Sequence, residues 1–556
     1  MAVLALIVAD TECDAFGRSN ALDRVLGDRP VLQHTVERAA GVPEVERIVL
    51  IHPAHQSPSA MINTSALRTP VSTYPVEGHL ADRYTPHLRA ARKWAMTSWR
   101  GGLGEATVYD ELLPPGPLHD AAASFNGEAV MIVRGEWCLF DPSLTSQQLQ
   151  THLDQPEGLS ITFAQTPPGL SPIVCARSVL DQLKTNEANF GPIFGYNPKK
   201  PRPDPIARDA NVQIPASVRD CHHRFIADNA RSLALLDALA DSLGQNLPQA
   251  DAASITDAVY AIEAEQTITP FDRLPQQITL ELTPRRDTAG EVTPQHYVTF
   301  DRPDLPLDRA TQIVEDLAMG DDPALLLGGL GDALLHPEWD QLVLAAHQAG
   351  VLGIGIETDL RCDKETVDRV LELPLDLVVV RLNADQPDTY ATTMGADDLP
   401  SVADNIRHLL ERRRARADTG EGEIAQPWLV PTLTKTETSL SDMESFFQRW
   451  TATFGCQPVL TPATTGCGKM PDLSPVPMTP PKRKPCRQLG RRMSILSDGT
   501  VALCDQDWLG EAALGQAGSD DLLTLWQNAH APWRAHQNER YDELGLCRHC
   551  SDWHRP

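Results

Sequence analysis

Basic residues, aromatic residues and long apolar runs are all scarce in this chain of 556 residues. Aromatic side chains make up 5% of the chain, and 48 Lys and Arg stand against 75 Asp and Glu, which gives a formal net charge of −27. This excess of acid opposes binding to nucleic acid and to anionic membranes. The chain also has no run of about eighteen apolar residues, so we expect no membrane-spanning helix. We therefore predict no nucleic-acid or membrane partner and leave a protein or small-molecule partner open.

An export signal is also missing. Ala2–Ala9 is apolar, but the run is short and no basic segment precedes it, so we interpret it as a first strand. The chain contains eleven cysteines, an odd number, which favours reduced thiols over a disulfide framework. These observations predict a cytoplasmic protein.

Alternating strand and helix patterns indicate the α/β class for most of the chain. Val3–Ala9, Pro30–Ala40 and Arg47–Ile51 read as strand, helix and strand, which predicts an open α/β sheet in the first half. From Leu274 to Phe454 strands and helices again alternate, which predicts a partial (β/α) barrel. In such barrels functional sites lie at the carboxyl ends of the strands.

Four cysteines near the end of the chain form the strongest chemical pattern. Cys486 and Cys504 flank alternating apolar residues around Ser497-Asp498-Gly499, which predicts a β-hairpin that brings the two thiols together. Cys547 and Cys550 add a C-x-x-C pair. Four such thiolates suit either an iron–sulfur cluster or a structural zinc ion. We interpret the remaining seven as packed apolar side chains: Cys13, Cys138, Cys175, Cys221, Cys362, Cys456 and Cys467.

Roughly residues 1–240 resemble the nucleotide-diphospho-sugar transferase fold, mainly through Gly27-Asp28-Arg29-Pro30-Val31-Leu32. The resemblance implies a nucleotide site with Arg18 on phosphate and with Glu136, and Asp141 nearby, holding a metal ion. The first loop departs from the family, since Asp10–Asp14 carries three acids where glycines and cations would contact phosphate. We therefore expect weak nucleotide binding or none.

Roughly residues 275–556 resemble the radical S-adenosylmethionine superfamily, in the branch with a SPASM-type auxiliary-cluster domain. The resemblance lies in E-L-T-P-R at 281–285, G-G-L-G-D at 328–332, R-L-N-A-D-Q-P-D-T-Y at 381–390 and D-G-T-V-A-L-C at 498–504. Taken together, the three parts of the chain resemble the spiro-SPASM proteins. The resemblance implies one [4Fe–4S] cluster on Cys486, Cys504, Cys547 and Cys550. It also implies Gly329, Gly331 and Asp332 as the residues that would bind S-adenosylmethionine.

One departure from that superfamily changes the expected function. The family places C-x-x-x-C-x-x-C after its E-L-T strand, and those positions align here with Arg286, Gly290 and Thr293. None of these side chains can ligate iron as a thiolate. We therefore expect a pseudoenzyme that does not cleave S-adenosylmethionine, while Asp332 leaves residual binding of S-adenosylmethionine open.

Three functions remain open from the sequence. They are a non-radical iron–sulfur protein for binding or electron transfer, a transferase that handles a nucleotide or nucleotide-sugar, and a zinc-binding scaffold. The predicted domain boundaries are 1–245 for the transferase-like domain, 246–273 for a helical connector, 274–460 for the barrel, 461–485 for a Pro-rich linker and 486–556 for a small Cys-rich domain.

Overall fold

The structure is a computed structural model that describes residues 2–83, 86–101, 106–155, 160–194, 209–419, 427–476 and 479–555. The positions between these ranges, which fall inside the predicted domains 1–245, 274–460 and 461–485, lie outside the described residues. The chain forms two compact units, residues 1–269 and 270–556. Among the described residues no helix is long and apolar enough to cross a membrane.

The first unit is built on a six-stranded sheet with the order β5-β4-β1-β6-β8-β7. The first four of these strands are parallel, and the last two pair antiparallel. All six residues of β1 are buried apolar side chains, as expected for a strand covered on both faces. The strands, with the short pair β2 and β3 included, are β1 (Val3–Val8), β2 (Val25–Leu26), β3 (Arg29–Pro30), β4 (Arg47–Pro53), β5 (Val71–Val76), β6 (Ala129–Arg134), β7 (Ile161–Thr162) and β8 (Ile173–Ala176).

Helices pack on this sheet and begin at recognisable caps. Helix α4, for example, starts at Asp141, whose carboxylate accepts the N–H groups of Ser143 and Leu144. The helices of the first unit are α1 (Val31–Ala40), α2 (Pro86–Lys93), α3 (Pro115–Ser124), α4 (Pro142–Asp154), α5 (Arg177–Thr185), α6 (Gly191–Phe194), α7 (Ala216–Arg219), α8 (Ala230–Leu243) and α9 (Ala252–Glu265).

The second unit is built on a nine-stranded sheet with the order β14-β13-β12-β11-β10-β9-β15-β16-β17. The strands from β14 to β15 are parallel, so the predicted partial barrel forms. The strands are β9 (Gln277–Leu280), β10 (Ala324–Leu327), β11 (Gly353–Thr358), β12 (Leu377–Arg381), β13 (Trp428–Lys435), β14 (Val459–Pro462), β15 (Arg492–Ile495), β16 (Thr500–Ala502) and β17 (Gly515–Gln516). The helices are α10 (Leu307–Leu317), α11 (Trp339–Ala349), α12 (Lys364–Glu372), α13 (Pro387–Met394), α14 (Leu399–Thr419), α15 (Met443–Gln448), α16 (Leu522–Gln527) and α17 (His530–Gln537).

Two expectations about domain organisation differ from the structure. Helix α9, predicted to lie in a connector over 246–273, packs its buried residues Ile255, Val259 and Ile262 into the core of the first unit. Strand β15, predicted to belong to a separate small domain, pairs in parallel with β9 and extends the barrel sheet. The reason is that β9 would otherwise be an edge strand with unpaired backbone groups, and β15 supplies its partner.

Candidate metal centre and the carboxyl edge of the barrel sheet

The four predicted cysteines come together in the second unit. Cys486 precedes the turn that leads into β15, and Cys504 follows β16. Cys547 and Cys550 bracket a single helical turn, in which the Cys550 N–H donates to the Cys547 carbonyl at 3.1 Å. Three of the four, Cys486, Cys504 and Cys547, share one small apolar cluster. The predicted hairpin also forms, because Ile495 lies opposite Val501 in an antiparallel pair.

Burial controls the protonation of these thiols. Loss of solvent raises the pKa of Cys486 to about 11 and that of Cys547 to about 12, and neighbouring thiols act in the same direction. The pKa of Cys504 is also raised, first by burial and then by Asp505. In the metal-free protein these thiols are therefore protonated at neutral pH, and a metal centre must displace their protons on binding.

The donor set suits two kinds of metal centre. Four thiolates can hold a [4Fe–4S] cluster, in which each binds a different iron, or a single tetrahedral zinc ion with bonds of about 2.3 Å. The residues present therefore fit an iron–sulfur cluster.

Two side chains outside the ligand set contact this site. Arg483 donates to the carbonyl oxygen of Cys547 at 2.8 Å, and its guanidinium lies 4.6 Å from the ring centroid of Tyr541. His536 accepts the Cys486 N–H through Nδ1 at 3.2 Å. Burial, with Arg483 as a second cause, lowers the pKa of His536 to about 4, so the ring is neutral at pH 7. Arg483 therefore places positive charge where a thiolate-ligated cluster would be negative.

A fifth cysteine also reaches this site, and the sequence interpretation missed it. The thiol of Cys467 lies beside that of Cys550, and its interaction with Cys550 lowers the pKa of Cys550. Cys467 therefore does not have the isolated packing role that we expected for it. It lies on a loop tied to the C-terminal segment, because the Thr464 hydroxyl donates to the Asp552 carboxylate at 2.7 Å.

A local signal for Cys467 was present in the sequence. The residue stands between two glycines, and Gly466, Cys467 and Gly468 all have positive φ, at 53°, 54° and 91°. Glycine adopts this conformation without steric cost, whereas cysteine rarely does. A Cβ at Gly466 would also lie 2.4 Å from the Trp508 ring. A Gly-Cys-Gly sequence can thus indicate a turn that presents a thiol.

At the carboxyl edge of the barrel sheet, an ion pair holds Arg286, the first of the three positions predicted to align with cluster cysteines. Arg286 pairs with Asp359 at 2.9 Å, and both side chains are 1% exposed. The Arg286 guanidinium also donates to the carbonyl oxygens of Leu330 and Gly331. A second arginine, the half-buried Arg381, donates to Glu357 beside it at 2.7 Å. Charged side chains and backbone carbonyls therefore fill this edge of the sheet.

The other two aligned positions, Gly290 and Thr293, are packed closely against neighbouring backbone. A Cβ at Gly290 would lie 2.4 Å from both the Gly395 nitrogen and the Thr393 carbonyl oxygen. Thr293 is buried and donates its hydroxyl to the Gly290 carbonyl at 2.7 Å. A cysteine at position 290 would require the chain around Gly395 to move.

Asp332, predicted to meet the amino group of S-adenosylmethionine, is engaged within the protein. Its Oδ2 accepts from the Asp359 N–H at 2.8 Å and from the Thr358 hydroxyl at 3.0 Å, and its Oδ1 accepts from the Leu334 N–H. Burial raises the pKa of Asp332, and Asp359 acts in the same direction. The carboxylate thus organises the loop rather than standing free for a ligand.

The two glycines predicted to bind the cofactor, Gly329 and Gly331, also make close contacts within the protein. The Gly329 carbonyl accepts from Arg381 at 2.6 Å, and a Cβ at Gly331 would lie 1.8 Å from the Thr283 carbonyl oxygen. A cavity of about 60 Å³ lies nearby, lined in part by Asp332, Asp359 and Arg361. Small-molecule sites are usually about 300–1,000 Å³, so this cavity holds a few waters at most.

In the first unit, the three residues predicted to handle a nucleotide also form ion pairs or hydrogen bonds within the protein. Arg18 pairs with Asp14 at 2.8 Å. Glu136 is 1% exposed and accepts from Asn20 at 2.7 Å and from Arg134 at 3.0 Å. Asp141 caps α4 with one oxygen and accepts the Ala252 N–H with the other. Asp141 therefore joins α4 to α9.

Sequence comparison with curated proteins finds a relative in Treponema pallidum (strain Nichols), an uncharacterized protein that is 29% identical over 126 residues. The match covers 23% of this chain and 34% of the relative, so the chain spans about a third of that protein's length.

Comparison with solved structures finds low identities and low TM-scores. BtrN in complex with AdoMet and 2-DOIA is 13% identical with a TM-score of 0.33, over 50% of this chain and 93% of BtrN. SuiB of Streptococcus suis bound to precursor peptide SuiA is 12% identical with a TM-score of 0.38, over 58% and 82%. A cytidylyltransferase from Leptospira borgpetersenii is 14% identical with a TM-score of 0.33, over 48% and 96%.

Comparison with family models finds a match to the part of the chain that contains the four-cysteine site. The matching stretch is residues 486–551, which contains all four predicted ligands and ends one residue after Cys550. At its C-terminal end this chain therefore carries a segment that matches SPASM, described as an iron–sulfur cluster-binding domain.

Proposed function

We propose that this chain is an iron–sulfur protein that holds one [4Fe–4S] cluster on Cys486, Cys504, Cys547 and Cys550. The observation that carries the proposal is the convergence of these four cysteines inside the segment that matches a cluster-binding domain. The cluster would serve in electron transfer or binding. When bound, it supplies one-electron redox chemistry.

The residues around the site have defined roles in this proposal. The Asp552 N–H donates to the Cys550 sulfur at 3.3 Å, and the Cys467 thiol lies beside the same sulfur. Hydrogen bonds to ligand sulfurs stabilise the more negative, reduced state of a cluster and so raise its potential. Cys486, Cys504 and Cys550 are each partly exposed, which leaves a short path to a redox partner at the surface.

Absence of radical cleavage is the second part of the proposal. It is supported by the Arg286–Asp359 ion pair, by the contact of Gly290 with Gly395, and by the internal hydrogen bonds of Asp332. Together these contacts engage the carboxylate predicted to bind S-adenosylmethionine and two of the three positions predicted to align with cluster cysteines.

Metal analysis of protein purified without oxygen tests the first part. We expect about four irons and four acid-labile sulfides per chain, with the visible and spin-resonance spectra of a [4Fe–4S] cluster. One zinc ion per chain without iron would instead favour the zinc-scaffold alternative.

Product analysis tests the second part. Cluster-loaded protein reduced with dithionite is incubated with S-adenosylmethionine, and 5′-deoxyadenosine is quantified. We expect no more than in a reaction without protein. Formation of 5′-deoxyadenosine in proportion to protein would contradict the proposal.

A further inference from the structure

Glu12, His55 and His79 form a cluster on the first unit, far along the chain from the cysteines. Their loops follow β1, β4 and β5, three neighbouring parallel strands. The carboxyl ends of parallel strands meet at one edge of a sheet, and ligands of open α/β folds bind at that edge. The three side chains therefore stand at a position where this architecture can hold a ligand.

The donor atoms are already near coordination distance. Glu12 Oε2 lies 3.4 Å from His55 Nε2 and 4.0 Å from His79 Nδ1, and the three donor atoms all lie within 4.8 Å of one another. Bonds of about 2.0–2.1 Å in a tetrahedral site place nitrogen and oxygen donors about 3.4 Å apart. The two imidazole rings are 5.1 Å apart between centroids and inclined at 69°, so they do not stack on each other.

A buried pair of side chains supports two of the three ligands. Asp10 accepts the Glu12 N–H at 3.0 Å and also the Gln56 side-chain amide at 2.9 Å. The Gln56 oxygen in turn accepts the Thr11 N–H at 2.7 Å. Asp10 and Gln56 are 2% and 7% exposed. These contacts fix the loop of Glu12 against the loop of His55, so the ligands are held before any ion binds.

From this geometry we propose a second metal site, in which Glu12, His55 and His79 bind one divalent transition ion such as Zn²⁺ or Co²⁺. Two imidazoles and one carboxylate suit ions of borderline softness, whereas Mg²⁺ and Ca²⁺ prefer oxygen ligands. Each of the three side chains is about half exposed. The remaining coordination positions therefore face water, and the ion exchanges readily.

The test uses the full-length protein with its iron–sulfur cluster already loaded, so that the four cysteines are occupied. Co²⁺ is titrated without oxygen and followed by calorimetry, and iron is quantified before and after. We expect one equivalent of Co²⁺ to bind and the iron content to stay constant.

Substitutions test whether the bound Co²⁺ is held by Glu12, His55 and His79. His79→Ala is expected to weaken Co²⁺ binding at least about tenfold, and His55→Ala with His79→Ala to abolish it. The matched control is His223→Ala, since His223 is an exposed histidine that pairs with Glu263 at 2.9 Å. Equal Co²⁺ affinity in the wild type and the double variant, or no bound equivalent in the wild type, would overturn the proposal. Loss of the equivalent in the His223→Ala control would overturn it as well.

Discussion

At the scale of single residues, burial keeps the thiols of Cys486 and Cys547 protonated until a metal centre displaces the protons. Their raised pKa means that each of these two ligands must lose a proton on binding. Removal of one ligand therefore leaves a buried polar group and an incomplete coordination shell.

The ligand set can be tested with two cysteines of similar burial. Cys547→Ser is expected to lose most of the bound iron and to weaken the packing of the C-terminal segment, because metal binding and local folding are coupled there. Cys467→Ala should keep its iron, since Cys467 contacts a ligand but is not part of the four. Both variants are purified without oxygen, and their iron content and visible absorbance are compared with those of the wild type. Iron retained in Cys547→Ser and lost in Cys467→Ala would show that the ligand assignment is wrong.

At the scale of elements, the loop after β9 is tightly packed at the positions predicted to align with cluster cysteines. Gly290 approaches Gly395 so closely that no side chain fits, and Arg286 is held by Asp359. Thiols at these positions would therefore require the surrounding loops to move.

Cysteines introduced at the three aligned positions should not create a second iron–sulfur cluster. In the combined variant Arg286→Cys, Gly290→Cys and Thr293→Cys we expect iron content to stay at the wild-type level. The free energy of unfolding should fall by at least about 1–3 kcal/mol, since the Cβ at 290 overlaps backbone. Thr293→Cys alone is the control and should be better tolerated, because the side chains are similar in size. A doubling of iron in the combined variant would contradict this expectation.

At the scale of the whole molecule, each unit has its own core. In the first unit His34 and His152 are buried, and burial lowers the pKa of both. In the unfolded chain these rings bind protons below about pH 6.5. The unfolded state thus takes up more protons as the pH falls, so the free energy of unfolding decreases.

The acid sensitivity can be measured with a substitution at His152. Between pH 7.5 and 5.5 each buried histidine costs up to about 1.4 kcal/mol of stability. Over this interval we expect the free energy of unfolding of His152→Leu to fall by about 1 kcal/mol less than that of the wild type. Urea unfolding followed by circular dichroism measures this difference. His223→Ala, an exposed histidine, should behave as the wild type does. An equal pH dependence in His152→Leu and the wild type would contradict the prediction.

The features that could be predicted from the sequence rest on local patterns. The Asp498-Gly499 turn with its alternating apolar residues predicted β15 and β16, and the C-x-x-C pair predicted the turn at Cys547. The alternation of strands and helices likewise predicted two α/β sheets. Such patterns arise from side-chain period and turn chemistry within a few residues, so no knowledge of the fold is needed.

Only the tertiary structure decided which distant residues meet. The approach of Cys467 to Cys550, the ion pair between Arg286 and Asp359, and the pairing of β15 with β9 all join segments that lie far apart in the chain. The cluster of Glu12, His55 and His79 depends in the same way on the order of β1, β4 and β5 in their sheet. Such contacts depend on how elements pack and which edges they pair, and composition and spacing along the chain do not encode that choice locally.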